Sequence, residues 1–84
     1  MKLTKAESKW LEDLKALLAS CPSKRLGFYT IGDPGISVYD YTKEKEISAL
    51  MDRQGNLYYP GAVDSLDAEI TFLNFPNCVH SVSG

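Results

Sequence analysis

Cysteine and histidine are scarce in this chain: among 84 residues there are two cysteines, Cys21 and Cys78, 57 positions apart, and one histidine, His80. A secreted domain this small usually carries several disulfides at closer spacings, so two distant thiols predict free cysteines in a reducing compartment. Zinc needs three or four ligands, and no CxxC or HxxxH spacing occurs; Cys78-x-His80 is too small a set for a metal site or a convincing Cys-His dyad. No metal and no cofactor are expected. No hydrophobic run approaches the roughly 18–20 residues of a membrane span. The opening Met1-Lys2-Leu3-Thr4-Lys5-Ala6-Glu7 turns charged where a secretory leader would turn apolar, which predicts a cytoplasmic protein. Internal repeats, low-complexity tracts and linkers are absent, so residues 1–84 read as a single domain with 77–84 as an extended arm.

Phosphate-binding and paired-carboxylate chemistry find little support. Gly32-Asp33-Pro34-Gly35 lacks a following Lys-Ser/Thr and puts an acid where an anion would sit. Glu44/Glu46, Asp64/Asp67 and Asp67/Glu69 lie in charged or capping contexts that solvation explains. A chain of this size also buries only about 60–65% of its unfolded surface, which leaves one modest core and little depth for an enclosed reaction centre. A protein without enzymatic activity is therefore the expectation.

Charge is unevenly placed. The net charge is −2, yet Met1–Arg25 holds six of the nine basic residues against Glu7, Glu12 and Asp13, a net +3. The rest sets Lys43, Lys45 and Arg53 against eight carboxylates, a net −5. Such asymmetry orients partners, and it also arises when a basic helix accompanies an acidic sheet.

The apolar residues Leu3, Trp10, Leu11, Leu14, Leu17, Leu18 and Cys21 recur at three- and four-residue steps and predict an amphipathic helix over about Lys5–Ser20. Thr4 and Glu7 form a capping-box pair at its start, and Pro22 stops it. From Leu26 the period changes to two. Leu26–Ile31 and Ile36–Tyr41 predict a β-hairpin turning at Gly32–Gly35, with Ile31 opposite Ile36, Tyr29 opposite Val38, Phe28 beside Tyr39 and Leu26 beside Tyr41. Both hairpin faces are then apolar or aromatic, and one helix can cover only one of them.

Residues 43–53 favour a helix capped at Thr42 and ended near Gly55, against a hairpin turning at Gln54-Gly55-Asn56. Pro60-Gly61 reads as a break. Over 64–75 the spacing of Leu66, Ile70 and Leu73 favours a short helix slightly over the strand that Ile70-Thr71-Phe72 prefers. The predicted fold is α+β: an N-terminal amphipathic helix packed on a small antiparallel hairpin or sheet, with one or two further short helices.

Tyrosine is the strongest pointer to function. Four of the five tyrosines stand as Tyr39-Asp40-Tyr41 and Tyr58-Tyr59, more than a small core buries with every hydroxyl satisfied. Tyr39, Tyr41, Tyr58, Tyr59 and Asp40 are the candidate partner-binding residues, since tyrosine is enriched at protein interfaces. The alternative is a nucleic-acid surface built on Lys5, Lys9, Lys24 and Arg25, opposed by a pI of about 5.2. Self-association through the second sheet face is a further possibility.

Asp67-Ala68-Glu69, Phe75-Pro76 and Val79-His80-Ser81-Val82-Ser83-Gly84 resemble small accessory proteins of temperate bacteriophages and prophages. The likeness covers the last quarter of the chain and carries no catalytic residues. It implies a bacterial cytoplasm and a protein that acts by binding a host or phage protein.

Overall fold

The computed structural model describes residues 1–55 and 58–80. The chain forms an α+β fold in the order α1 (Lys5–Ala19), β1 (Leu26–Tyr29), β2 (Gly35–Asp40), a 3₁₀ turn (Tyr41–Lys43), α2 (Glu44–Arg53), α3 (Tyr59–Ser65) and β3 (Glu69–Asn74). The strands make one antiparallel sheet with β2 in the centre and β1 and β3 at its edges.

The start of α1 is the predicted capping box. The Thr4 N–H donates to Glu7 Oε1 at 2.8 Å and the Glu7 N–H donates to Thr4 Oγ1 at 3.1 Å. The helix stops at Ser20, two residues before Pro22.

The hairpin forms one register away from the expected one. Leu26 pairs with Asp40, Gly27 with Tyr39, Phe28 with Val38 and Tyr29 with Ser37. Thr30 is the reason the ladder ends early: its hydroxyl donates to the Gly35 carbonyl at 2.7 Å and accepts the Gly32 N–H at 2.9 Å, closing a longer loop. Gly32 takes a positive φ of 109° in that loop, and the Asp33–Pro34 bond is cis. A one-residue slip exchanges the faces, so Tyr39 stands with Gly27 rather than with Phe28.

Residues 64–75 resolve against the favoured helix. Glu69–Asn74 is a strand paired with β2, and the helix lies earlier, at Tyr59–Ser65. Pro60-Gly61 therefore does not break the structure there. Pro60 occupies the first helical turn, where its missing N–H costs nothing. Beyond α3, Asp67 adopts a left-handed φ of 53°; its N–H donates to the Asp64 carbonyl at 3.0 Å and the Ala68 N–H to the Val63 carbonyl at 2.9 Å. These are the two bonds of a Schellman stop, which cuts the helical spacing of Leu66, Ile70 and Leu73 in two. Residues 44–53 form the expected helix, but Thr42 does not cap it: Thr42 lies in the 3₁₀ turn, itself capped by Asp40, and the N-cap of α2 is Lys43, without a side-chain bond. Asn56 of the rival turn lies outside the described residues.

The ladder separates the two sheet faces. Tyr29, Ser37, Tyr39 and Phe72 share one; Phe28, Ile36, Val38 and Leu73 share the other. The first face carries the core, in which Tyr39, Ile47, Ala62, Val63 and Ala68 are buried and Tyr29, Leu50, Met51, Tyr59 and Leu66 pack around them. Both α2 and α3 contribute to it. On the second face, Trp10, Leu14, Leu17 and Leu18 of α1 lie across a groove from Phe28, Ile36 and Leu73. No α1 residue is buried. The radius of gyration is 15.7 Å, against about 12 Å for a compact domain of this length, as expected when a whole helix stands outside the core.

Candidate functional site

Gly27 and Tyr39 explain the arrangement on the core face. A side chain at Gly27 would bring its Cβ within 2.5 Å of two Tyr39 ring atoms, so the ring lies directly over the glycine. Held there, it meets Tyr59 edge-on at 5.6 Å between centroids and Tyr29 at 5.9 Å; Tyr29 in turn meets Tyr59 at 5.4 Å. The hydroxyls converge on one carboxylate of α2. Tyr39 and Tyr59 each donate to Glu44 Oε2 at 2.6 Å, and the two phenol oxygens lie 2.7 Å apart.

Burial, followed by the bond to Glu44, raises the Tyr39 hydroxyl above the ordinary tyrosine pKa. The same two causes raise Tyr59 further. Both phenols stay protonated and donating, which ties β2, α2 and α3 together. The three grooves described below are lined by other residues. A carboxylate saturated by two short phenol bonds in packed surroundings is a structural tie.

The sequence-selected residues thus divide. Tyr39 is 4% exposed and Tyr59 half-buried, so their rings belong to the core and offer little to a partner. Tyr41 and Tyr58 are exposed. Asp40 spends its carboxylate on the 3₁₀ turn, accepting both the N–H and the hydroxyl of Thr42, and these bonds hold its pKa below the usual value. The tyrosines do not form one outer patch.

The basic set is scattered as well. Lys5 and Lys9 lie in the first half of α1, and Lys9 pairs with Asp13 at 3.0 Å. Lys24 and Arg25 follow its far end, on the order of 20 Å along the axis. Arg25 lines a depression with Asp40, Asp67 and Glu69, where phosphate would be repelled. Cys21 and Cys78 are free, exposed thiols, and no His/Cys/Asp/Glu group among the described residues has the grouping a metal ion requires.

An apolar groove beside α1 lies outside the residues that the sequence points to. It has a volume of about 370 Å³ and is lined by Trp10, Leu14, Leu17, Leu18, Phe28, Ile36, Leu73 and the Phe75-Pro76 corner. Trp10 and Pro76 also border a second groove of about 410 Å³ with Leu3, Ala6 and Leu11, so the apolar surface is continuous along the helix. Leu17 is 70% exposed and Leu18 64%. Full burial of a leucine is worth about 1.5–3 kcal/mol, so most of that stabilisation is unrealised in the single chain. The signal for it in the sequence is the apolar character of both hairpin faces, only one of which a single helix can cover.

No family model, no curated protein and no solved structure matches the chain. No helix among the described residues is long and apolar enough to cross a membrane.

Proposed function

We propose that this chain is a non-enzymatic protein-interaction module whose recognition surface is the α1 stripe together with the second sheet face. The observation that carries the reading is the stripe itself: a fifteen-residue helix with a strong apolar face and no buried residue. Exposed, contiguous apolar surface of this kind marks an interaction site in a protein that otherwise satisfies its buried polar atoms, and among the described residues no buried side-chain polar atom lacks a partner. Exposed Tyr41 and Tyr58 supply further contact residues on the acidic body. The setting is the one that the C-terminal resemblance implies, a bacterial cytoplasm containing genes of a temperate phage.

Affinity capture from a bacterial lysate tests the reading, with nuclease present and with the variant Leu17→Glu/Leu18→Glu beside the native chain. A near-stoichiometric protein held by the native chain, resistant to nuclease and absent from the variant, is the expected result. Capture that depends on nucleic acid and on Lys5, Lys9, Lys24 and Arg25 would overturn it.

A further inference from the structure

β3 is an edge of the sheet, and the ladder fixes which of its main-chain groups face outward. The Phe75 N–H donates to the Pro34 carbonyl at 2.8 Å, and these two residues stand opposite each other one step beyond the Gly35–Asn74 pair. Bonded and non-bonded pairs alternate along an antiparallel ladder. Leu73–Ile36 and Thr71–Val38 are therefore bonded pairs, while Phe72 and Asn74 turn their N–H and C=O groups away from β2. The Leu73 carbonyl agrees: it points into the sheet, 1.9 Å from where a Cβ on Gly35 would lie. The outer edge thus offers a donor and an acceptor at Phe72 and again at Asn74, roughly 7 Å apart, on a strand whose every residue is exposed.

Sheet edges are ordinarily blunted by charge, proline, brevity or a bulge. β1 has only four residues and follows directly on Lys24-Arg25. In β3 the bulge at Ile70 blunts the start, but Thr71-Phe72-Leu73-Asn74 beyond it contains neither charge nor proline. Alternating donors and acceptors at that spacing match one thing closely, another extended backbone. Charge then selects its source. Residues 26–84 carry a net −5, so two copies joined at β3 would bring like charges together, whereas a basic segment of a different protein is attracted.

We propose that β3 takes up an extended segment of a different protein as an added antiparallel strand, with apolar residues beside Phe72 and Leu73 and basic residues toward Glu69. Phe72 and Leu73 are 40% and 44% exposed on opposite faces of the sheet, and Leu73 also lines the groove beside α1, so the added strand borders the surface already assigned to recognition. The proposal rests on that reading and states how the partner presents itself.

Amide hydrogen exchange of the full chain, followed by NMR with and without the peptide acetyl-Thr-Leu-Val-Thr-Lys-Lys-amide, tests it. In the free chain the Phe72 and Asn74 amides should exchange at least about tenfold faster than those of Thr71 and Leu73. Saturating peptide should slow Phe72 and Asn74 about tenfold and leave Thr71 and Leu73 unchanged. With valine opposite Phe72, an N-methyl group on the valine nitrogen blocks the ladder and should weaken binding at least about tenfold; one on the leucine nitrogen, which faces away, should leave it within about threefold. Replacing Lys-Lys by Glu-Glu should also weaken binding about tenfold at low salt. Equal effects of the two methyl groups would show contact without a ladder and overturn the proposal, as would Phe72 and Asn74 amides already protected in the free chain. A peptide that fails to bind, while capture from the lysate still depends on Leu17 and Leu18, overturns strand addition and leaves the interaction reading standing. Failure of both overturns both.

Discussion

Two single positions show how closely the chain's local choices are bound to its fold. Gly27 is required by its neighbour, because the Tyr39 ring occupies the space a Cβ would need. Gly27→Ala must displace a ring fixed by two short hydrogen bonds and three aromatic contacts, and overpacking of that kind costs about 1–3 kcal/mol. Urea denaturation should show the loss as a lower midpoint with an unchanged slope. Asp67 makes the opposite case. It holds a left-handed backbone that glycine adopts without steric cost, and its carboxylate sits where the C-terminus of α3 already presents negative charge. Asp67→Gly should therefore raise stability by up to about 1 kcal/mol, less the extra entropy glycine gives the unfolded chain. The same denaturation measurement reads it, and a destabilised variant would show that the Asp67 side chain has a role its geometry does not reveal.

At the scale of elements, the parts legible in the sequence are those decided by local chemistry. The capping box of α1, its stop before Pro22, and the helix at 44–53 all follow from residues within one or two turns. The hairpin was legible as a hairpin but not in register, because Thr30 closes the loop by side-chain bonds that no alternation pattern reports. The third strand was hidden by a helical spacing that one left-handed residue divides. Of the candidate site, the sequence shows the tyrosine cluster but not its division between core and surface, because burial is a tertiary property: Glu44, five residues from Tyr39 and fifteen from Tyr59, accepts both hydroxyls inside the fold. That tie has a consequence for pH. Tyr39 and Tyr59 keep their protons in the folded state at a pH where the unfolded chain, titrating near 10, has begun to lose them. The unfolded state then binds fewer protons, so stability is full below about pH 10 and falls as pH rises beyond it. Denaturant midpoints measured from about pH 8 to pH 11 should decline on the alkaline side, and Tyr39→Phe/Tyr59→Phe should flatten the decline. An equally steep decline in that double variant would move the effect away from the pair.

At the scale of the whole molecule, the main core and the proposed recognition surface lie on opposite sides of one sheet. The core side holds Ile47 at 0% exposure, packed among α2, α3 and Tyr39, while α1 contributes nothing buried. These sides should respond differently to the same truncation. Ile47→Ala removes fully buried methylenes and should cost about 2–5 kcal/mol whatever the protein concentration. Leu17→Ala removes atoms that are mostly in water, so it should change stability by less than about 0.5 kcal/mol. Urea midpoints measured beside the native chain should therefore fall steeply for Ile47→Ala and barely move for Leu17→Ala. A loss for Leu17→Ala as large as that for Ile47→Ala would mean that the α1 stripe is covered in solution and is not a free recognition surface.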